Sequence, residues 1–210
     1  MIVHQIFIPF YMNEMNELFV NCSKKVKEWC LNNNYDYMLW DKNMCDNLID
    51  SYPQYKELYN NVKYPIMQVD IIRFIILHKY GGLYIDMDCI PNIQKLDNDN
   101  FRISYKIGKK RKHYEMEVIQ SYKNNNLLLE FLDYVQTQIE EKDKIDIYKT
   151  WKGRYIYQTT GPQSLNRFLK NKDVNKFIIN EALTKNNLLN LNGNEDFISY
   201  PSCSYMNTLV

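Results

Sequence analysis

The sequence predicts an α/β domain, and three observations support this prediction. The first ~40 residues alternate between strand, helix and strand patterns. In the middle of the chain, a long apolar segment bounded by proline and glycine predicts a buried helix, and an apolar strand follows it directly. A chain of 210 residues and 25.4 kDa is expected to bury roughly 70% of its unfolded surface, which is enough for a core without disulfides. We therefore expect one domain over residues 1–210 with a mixed, mostly parallel central sheet flanked by helices.

The opening strand–helix–strand pattern comes from hydrophobic spacing. Residues 2–8, which are mostly apolar, predict a strand that Pro9 ends, because proline cannot extend a β-ladder. Apolar residues then recur at helical spacing from Met15 to Cys30. An asparagine cluster ends this helix, and residues 35–41 predict a second strand. Strands that a helix connects usually pair in parallel, which is the pairing we expect here.

Later elements follow from the same reasoning. Pro65 and Gly81 bound the buried helix, which is predicted over Ile66–Tyr80, and the apolar strand follows at Leu83–Ile90. The other predicted elements are helices at 45–59, 127–139, 162–169 and 174–183 and a short strand at 197–200.

Composition limits the partners and the compartment. A net charge of +1 with 24% charged residues gives no field that would attract nucleic acid. The chain has five cysteines without a CxxC pair, which favours buried free thiols in a reducing compartment. No apolar run reaches the ~18 residues of a membrane span. We expect a soluble, cytoplasmic protein without a transmembrane segment, or one such domain of a longer protein.

Two aspartates lie near the end of the apolar strand predicted over Leu83–Ile90. Because side chains alternate along a strand, Tyr84, Asp86 and Asp88 are expected on one face, with the two carboxylates roughly 6–7 Å apart. That separation suits one aspartate on a metal ion and the other acting through water or a substrate hydroxyl. Oxygen ligands favour Mg²⁺ or Mn²⁺, and substrate phosphates commonly complete the shells of these ions. A solvated polar face on an edge strand is the alternative.

Two charged residues interrupt the apolar helix. Asp70 and Arg73 are three residues apart and therefore lie on one helical face. Buried charges are costly unless they are paired or bound. They predict either a simple intrahelical ion pair or a site in which Arg73 faces phosphate and Asp70 faces sugar hydroxyls. The fork of donors on a guanidinium matches phosphate oxygens.

The motifs together resemble a known family. The chain carries DxxR at residues 70–73, GGxYxDxD at 81–88 and TGP at 160–162. This pattern resembles the DxD-motif sugar transferases of glycosyltransferase family 32 and the glucosyltransferase domains of large clostridial toxins. Residues 3–8 and 37–41 are similar to the first two strands of that family. The composition is also similar to that of transferases from large DNA viruses or bacteria.

This resemblance implies a GT-A (Rossmann-like) fold and a metal-dependent glycosyltransferase. The implied donor is a nucleotide-diphosphate sugar, with a UDP-sugar such as UDP-glucose the best expectation, and the implied acceptor is a glycan or protein. Donor binding would involve residues 1–95 approximately, and acceptor binding residues 96–210. The family transfers with retention of configuration. Since the sequence shows no evident nucleophile, we expect attack on the face that the diphosphate leaves.

The resemblance also implies roles for individual residues in the centre of the chain. Asp86 and Asp88 would bind the metal ion, Mn²⁺ or Mg²⁺, together with ribose and diphosphate. Asp70 and Arg73 would hold the donor sugar and phosphate, and Tyr84 would help to position them. Asp70, Arg73, Asp86 and Asp88 are thus the implied catalytic residues.

Other implied contacts lie at the two ends of the chain. Ile6, Phe7 and Ile8 would flank the base, with Phe7 in the place where toxin relatives carry a stacking tryptophan. Relatives often carry a histidine and a Ser-Trp element near the C-terminus that provide a third metal ligand and a lid. Residues 202–210 contain neither, so Asn207 or a serine is the expected substitute. The resemblance places four residues on the acceptor side: Thr160, Gly161, Pro162 and Gln163.

Two other classes of function compete with a transferase. A DxD phosphatase would use its first aspartate as a nucleophile, but Ile90 stands where that class usually carries threonine or valine, and no downstream acidic pair is evident. A non-catalytic module that binds nucleotide sugars or glycans would retain the site without turnover.

Overall fold

The computed structural model of this chain describes residues 1–10, 14–97, 100–107, 112–145, 151–181 and 196–200. The strands in these ranges are β1 (Ile2–Ile6), β2 (Asp36–Trp40), β3 (Gly82–Ile85), β4 (Cys89–Pro91), β5 (Arg102–Ile107), β6 (Lys112–Ser121), β7 (Asn175–Glu181) and β8 (Phe197–Ser199). The helices are α1 (Glu17–Asn33), α2 (Lys42–Ile49), α3 (Pro53–Asn60), α4 (Ile66–Tyr80), α5 (Asn126–Asp143), α6 (Lys152–Thr159) and α7 (Pro162–Phe168).

All eight strands join one mixed sheet in the order β2-β1-β3-β6-β5-β7-β8-β4. β1 pairs in parallel with β2 and β3, and β7 pairs in parallel with β5 and β8. β6 runs antiparallel between β3 and β5, and β4 runs antiparallel to β8. The predicted α/β class and the parallel β1–β2 pairing are therefore confirmed.

Asparagine caps helix α1 at both ends, and the predicted breaker cluster provides the C-terminal cap. The side chain of Asn16 accepts a hydrogen bond from the backbone N–H of Phe19 at 2.8 Å, which satisfies one of the free donors of the first turn. Asn34 ends the helix in the left-handed conformation with φ 55°, where asparagine is tolerated. The buried face of α1 includes Phe19, Cys22 and Val26. Cys22, Cys30, Cys45 and Cys89 are free and buried, as predicted.

Helix α4 is buried almost all round and passes into β3 through two glycines. Gly81 and Gly82 have φ values of 65° and 96°, which L-residues with a Cβ rarely adopt. A Cβ on Gly82 would lie 2.1 Å from the carbonyl oxygen of Ile2. The buried His4 also ties this junction to β1. Because the indole N–H of Trp40 donates to Nδ1 of His4, the Nε2–H group donates to the Gly81 carbonyl oxygen at 2.9 Å.

Burial lowers the pKa of His4 to about 4, despite the opposing effect of its hydrogen bond to Gly81. His4 is therefore a neutral structural histidine.

Among the helices of the described ranges, none combines the length and the apolar character needed to cross a membrane.

The strand predicted over Leu83–Ile90 is two strands separated by a turn, so that prediction is wrong. β3 ends at Ile85, and the backbone N–H of Cys89 bonds to the Asp86 carbonyl oxygen at 3.1 Å to close the turn. β4 then pairs with β8 at the far edge of the sheet. The predicted alternation holds within β3. Asp86 and Asp88 do not share a strand face, because they lie in the turn between β3 and β4.

Other predicted elements also needed correction. The helix predicted over 45–59 is two helices, because Pro53 begins α3 at the N-terminal position that proline favours. Residues 174–183 were predicted to be helical, but β7 occupies 175–181 and buries Phe177 and Ile179 at strand spacing. The predictions also missed β5, β6 and α6. The basic run at 109–111 lies outside the described residues.

A wide bulge in β6 takes several residues out of the β-ladder with β5. Ile103 pairs with Ile119 and Tyr105 pairs with Tyr114, so one residue of β5, Ser104, faces the four residues 115–118. The buried Ser104 hydroxyl donates to the Glu115 carbonyl oxygen at 3.0 Å and accepts the Val118 N–H at 3.2 Å. The hydroxyl thus replaces ladder bonds that the bulge disrupts.

Replacing Ser104 with alanine is expected to lower the free energy of unfolding by about 1–3 kcal/mol, because a buried N–H and a buried carbonyl lose their partner. Urea unfolding measures the change. Ser51→Ala is a matched control, since the Ser51 hydroxyl bonds only within its own exposed turn and the expected change is within about 0.5 kcal/mol. Equal effects of the two substitutions would contradict the role of Ser104 in the bulge.

Candidate active site

A cavity of about 260 Å³ lies where α4, the turn after β3, the β6 bulge, α6 and the start of α7 meet. Its charged lining residues come from three separate elements. These residues are Asp70, Arg73, Asp86, Glu115 and Glu117.

Arg73 is the centre of the hydrogen-bond network at this cavity, and its side chain is only 5% exposed. Its Nη2 donates to Oδ1 of Asp70 at 2.8 Å, and its Nη1 donates to Oδ1 of Asp86 at 3.3 Å and to the Met116 carbonyl oxygen at 2.8 Å. The guanidinium also lies 4.8 Å from the centre of the Tyr84 ring. The intrahelical ion pair and the link to the DxD turn therefore coexist.

The surroundings of Arg73 keep it charged. Burial alone would lower the pKa of the guanidinium, but the facing Tyr84, Asp86 and Asp70 raise it, and the net shift is upward. A permanent positive charge is thus held between two carboxylates.

Asp70 connects α4 to the TGP motif. Its Oδ2 accepts a hydrogen bond from the Thr160 hydroxyl at 2.7 Å. Burial raises the pKa of Asp70 to about 6, against the opposing effects of Arg73 and Thr160. Gly161 and Pro162 line the cavity, whereas Gln163 is half-buried and is not part of the lining.

Asp86 is held in place from several directions. Its backbone N–H donates to the Glu117 carbonyl oxygen at 2.8 Å, and its carbonyl oxygen accepts from the Gln5 side chain at 3.2 Å. The hydroxyl of Tyr84 donates to Oδ1. Burial raises the pKa of Asp86, while Arg73 and Tyr84 oppose the rise. The first aspartate of the motif is therefore fixed by both backbone and side chain.

Asp88 lies at the other end of the turn in a different environment. Its carbonyl oxygen accepts the N–H of Tyr200 at 2.9 Å, and its Oδ1 accepts a weak hydrogen bond from the Cys89 thiol at 3.8 Å. Asp88 is half-buried and is not among the cavity-lining residues. The end of β8 thus attaches to the DxD turn.

The residues predicted to flank a base lie at the end of β1, away from the cavity lining. Ile6 and Ile8 are buried, and Phe7 is half-buried with its ring edge-on to Phe19 at 6.5 Å. The link between this strand and the site is the Gln5 side chain, which bonds to Asp86. The predictions did not include Gln5.

The donor set fits a divalent metal ion that takes only part of its shell from the protein. In the ranges that the structure covers, no three His, Cys, Asp or Glu side chains cluster closely enough to hold a metal. Asp86 and Asp88 offer carboxylate oxygens at the two ends of one turn, and Mg²⁺ commonly binds one or two carboxylates plus substrate phosphates. Asn207 and the C-terminal serines, the expected third ligands, lie outside the described residues.

The sequence predictions also missed Glu115 and Glu117, which lie on the unpredicted strand β6. The Glu115 carboxylate accepts from His113 at 2.7 Å. Burial raises the pKa of Glu115, and Lys106 and His113 oppose the rise. Acidic residues at alternating positions beside apolar ones were the available signal.

Comparisons with known proteins agree with this geometry. Residues 18–108 match the family model described as "Glycosyltransferase sugar-binding region containing DXD motif". Inositol phosphoceramide mannosyltransferase 3 of Schizosaccharomyces pombe is 35% identical over 88 residues, which is 41% of this chain and 23% of that protein. Toxin A of Clostridium novyi is 32% identical over 109 residues, which is 48% of this chain and 5% of the toxin. The chain spans between 18% and 23% of the length of the first three curated relatives.

A solved structure shows the same fold. The PaToxG glycosyltransferase superposes with a TM-score of 0.58 at 16% identity, covering 80% of this chain and 68% of that one. The fold is therefore that of the GT-A glycosyltransferases, as the resemblance implied. Residues 18–108, which match the model of the DXD-motif sugar-binding region, include both charged α4 residues and the DxD turn.

Proposed function

We propose that this protein transfers a sugar from a nucleotide-diphosphate sugar to a glycan or protein acceptor, with Mn²⁺ or Mg²⁺ and with retention of configuration. A UDP-sugar such as UDP-glucose is the proposed donor. The observation that supports this function best is the position of Arg73, which holds Asp70 and Asp86 against one cavity. The name of the fission-yeast relative makes mannose the second sugar to test.

The proposed chemistry breaks the bond between the anomeric carbon and the diphosphate. Negative charge then develops on the diphosphate, and a divalent ion bound by Asp86 and Asp88 would stabilise it. Arg73 contributes a fixed positive charge from a buried side chain beside the cavity. The acceptor hydroxyl would attack on the face that the diphosphate leaves and would give its proton to an oxygen of the departing phosphate.

The geometry modifies the expected role of Arg73. Four of its five N–H groups bond to Val69 O, Asp86, Met116 O and Asp70. Among the described residues, one N–H on Nη2 is left for a phosphate oxygen. We therefore propose that Arg73 acts mainly by positioning the two carboxylates and by its charge, and less as a fork that grips phosphate.

We also propose that the protein acts in the cytoplasm. Four free, buried cysteines support this, because reducing compartments keep thiols unpaired.

The decisive experiment measures nucleotide release and sugar transfer from UDP-glucose, other UDP-sugars and GDP-mannose, with Mn²⁺, Mg²⁺ or EDTA. Turnover that requires metal would support the proposal and identify the donor. Binding of a nucleotide sugar without any turnover would favour the non-catalytic module. Hydrolysis of a phosphate monoester instead would favour the phosphatase.

Asp88→Asn is expected to reduce metal-dependent turnover by about 10²–10³-fold, the usual cost of removing one stabiliser of developing charge. The substitution keeps the size of the side chain and removes its charge. Asp50→Asn is the matched control, since Asp50 is exposed and pairs only with the surface residue Lys56. Equal turnover by wild type and Asp88→Asn at every metal concentration of a titration would contradict the metal-binding role.

A further inference from the structure

Glu117 lies in the β6 bulge, where its backbone and side chain have separate roles. Its carbonyl oxygen accepts a hydrogen bond from the N–H of Asp86 at 2.8 Å, which fixes Glu117 beside the DxD turn. Its carboxylate oxygen Oε1 accepts from the Ser199 hydroxyl at 3.1 Å and lies 3.6 Å from Nζ of Lys106. The side chain is therefore anchored on one side, and the residue lines the cavity.

The second oxygen of this carboxyl group has no partner. Oε2 of Glu117 is buried and makes no hydrogen bond. A buried polar atom without a partner costs about 1–3 kcal/mol, and such atoms in folded proteins usually have a specific explanation. Burial raises the pKa of Glu117 to about 8; Lys106 opposes this rise, and Glu115, Asp86 and Asp88 add to it.

A hydroxyl group is the ligand that fits this oxygen. A hydroxyl can donate to a carboxylate and can also accept from a protonated carboxyl, so it satisfies either form of Glu117. A metal ion at Asp86 and Asp88 would complete its shell with substrate phosphates and does not need this oxygen. Oε2 is covered in the empty cavity, so a rotation of the Glu117 side chain would present this unsatisfied acceptor to a polyhydroxylated ligand.

The size and lining of the cavity indicate which ring supplies the hydroxyl. At about 260 Å³, the cavity is smaller than the 300–1,000 Å³ typical of drug-sized ligands and suits a single sugar ring. The same space is lined by Asp70, Arg73 and Asp86, the residues proposed above to hold the donor. The ring beside Glu117 is thus the one that is transferred.

We infer that Glu117 determines specificity for the transferred sugar by pairing its Oε2 with one hydroxyl of that ring. This inference rests on the proposed function. A site built around such a pair discriminates against analogues without the hydroxyl, because the protein atom is then left unpaired. Glu117 would also reject a donor whose hydroxyl at this position carries a bulky substituent.

The test is a double-mutant cycle in which one change is made in the protein and the other in the ligand. The quantity measured is donor hydrolysis without acceptor. Wild type, Glu117→Ala and Glu117→Gln are each assayed with the accepted nucleotide sugar and its monodeoxy analogues. In the wild type, one analogue is expected to lose about 10–100-fold in kcat/KM, the value of a hydrogen bond to a charged group. In Glu117→Ala, the same analogue should lose less than about threefold relative to the full donor.

Glu130→Ala is the matched control, because Glu130 lies on α5 and is exposed with a surface partner, Lys172; its analogue profile should equal that of the wild type. Glu117→Gln keeps the side-chain shape, and its unfolding midpoint shows whether a loss of activity comes from a loss of folded protein.

Identical analogue profiles in wild type and both Glu117 variants would overturn the inference while donor turnover still supports the proposed function. If no nucleotide sugar binds or reacts, the proposed function itself fails.

Discussion

Replacing Arg73 with alanine is expected to abolish sugar transfer and to lower the free energy of unfolding by about 3–5 kcal/mol. The substitution leaves Asp70 and Asp86 as buried carboxylates without a counter-charge, since Arg73 bonds to both. It also frees the Met116 carbonyl oxygen in the β6 bulge. A loss of this size is a large part of the 5–15 kcal/mol that typically stabilises a domain.

Urea unfolding and turnover of the accepted donor measure the two effects of Arg73→Ala. Arg73→Lys keeps the charge but loses the planar fork, so stability should recover in part while turnover stays low. Arg102→Ala is a suitable control, because its partner Asp97 is 81% exposed and such pairs contribute about 1 kcal/mol or less.

A double variant separates charge from shape. Asp70→Asn in the Arg73→Ala background removes one unpaired charge and should restore about 1–2 kcal/mol of the lost stability. If the free energy of unfolding of Arg73→Ala lies within about 1 kcal/mol of the wild-type value, the ion pairs around Arg73 do not stabilise the fold as described.

Gly82→Ala is expected to destabilise the protein by about 2–6 kcal/mol, the combined range for a strained backbone and an overpacked contact. The added Cβ would lie 2.1 Å from the Ile2 carbonyl oxygen, and the backbone φ of 96° is unfavourable for alanine. The pairing of β3 with β1 would have to open.

Thermal or urea unfolding tests the Gly82 prediction, and hydrogen exchange at the amides of β1 locates the opening. Lys79→Ala serves as the control, because Lys79 is exposed in the last turn of α4 and a surface change should stay within about 0.5 kcal/mol. An unfolding midpoint for Gly82→Ala equal to that of this control would show that the contact with Ile2 relaxes freely.

The sequence was most informative where local signals agree with the tertiary structure. The predicted bounds of α4, Ile66–Tyr80, match the structure because proline, a continuous apolar run and glycine all define the same helix. It was least informative where an element depends on a distant partner. The end of β3 is set by the pairing of β4 with β8, and the helical spacing around 174–183 gave way to the pairing of β7 with β5.

The candidate site shows the same division. The structure brings Asp70, Arg73, Tyr84 and Asp86 together, and the motif spacing had already grouped them. Thr160 joins them through Asp70. Glu117 could not be identified, because its position depends on a bulge that exists only when β5 and β6 are paired in this register.

The direct junction between α4 and β3 also bears on how the site can move. Because Gly81 and Gly82 connect helix and strand without a loop, and His4 bonds to the junction, Arg73 and Asp86 are carried by one continuous rigid segment. The opposite wall, on α6 and α7, contacts this segment through the hydrogen bond of Thr160 to Asp70 and through the buried cluster of Met67, Tyr155 and Ile156. Displacement of α6 and α7 would break this hydrogen bond and expose the cluster, so both walls of the cavity are held in place before a substrate binds.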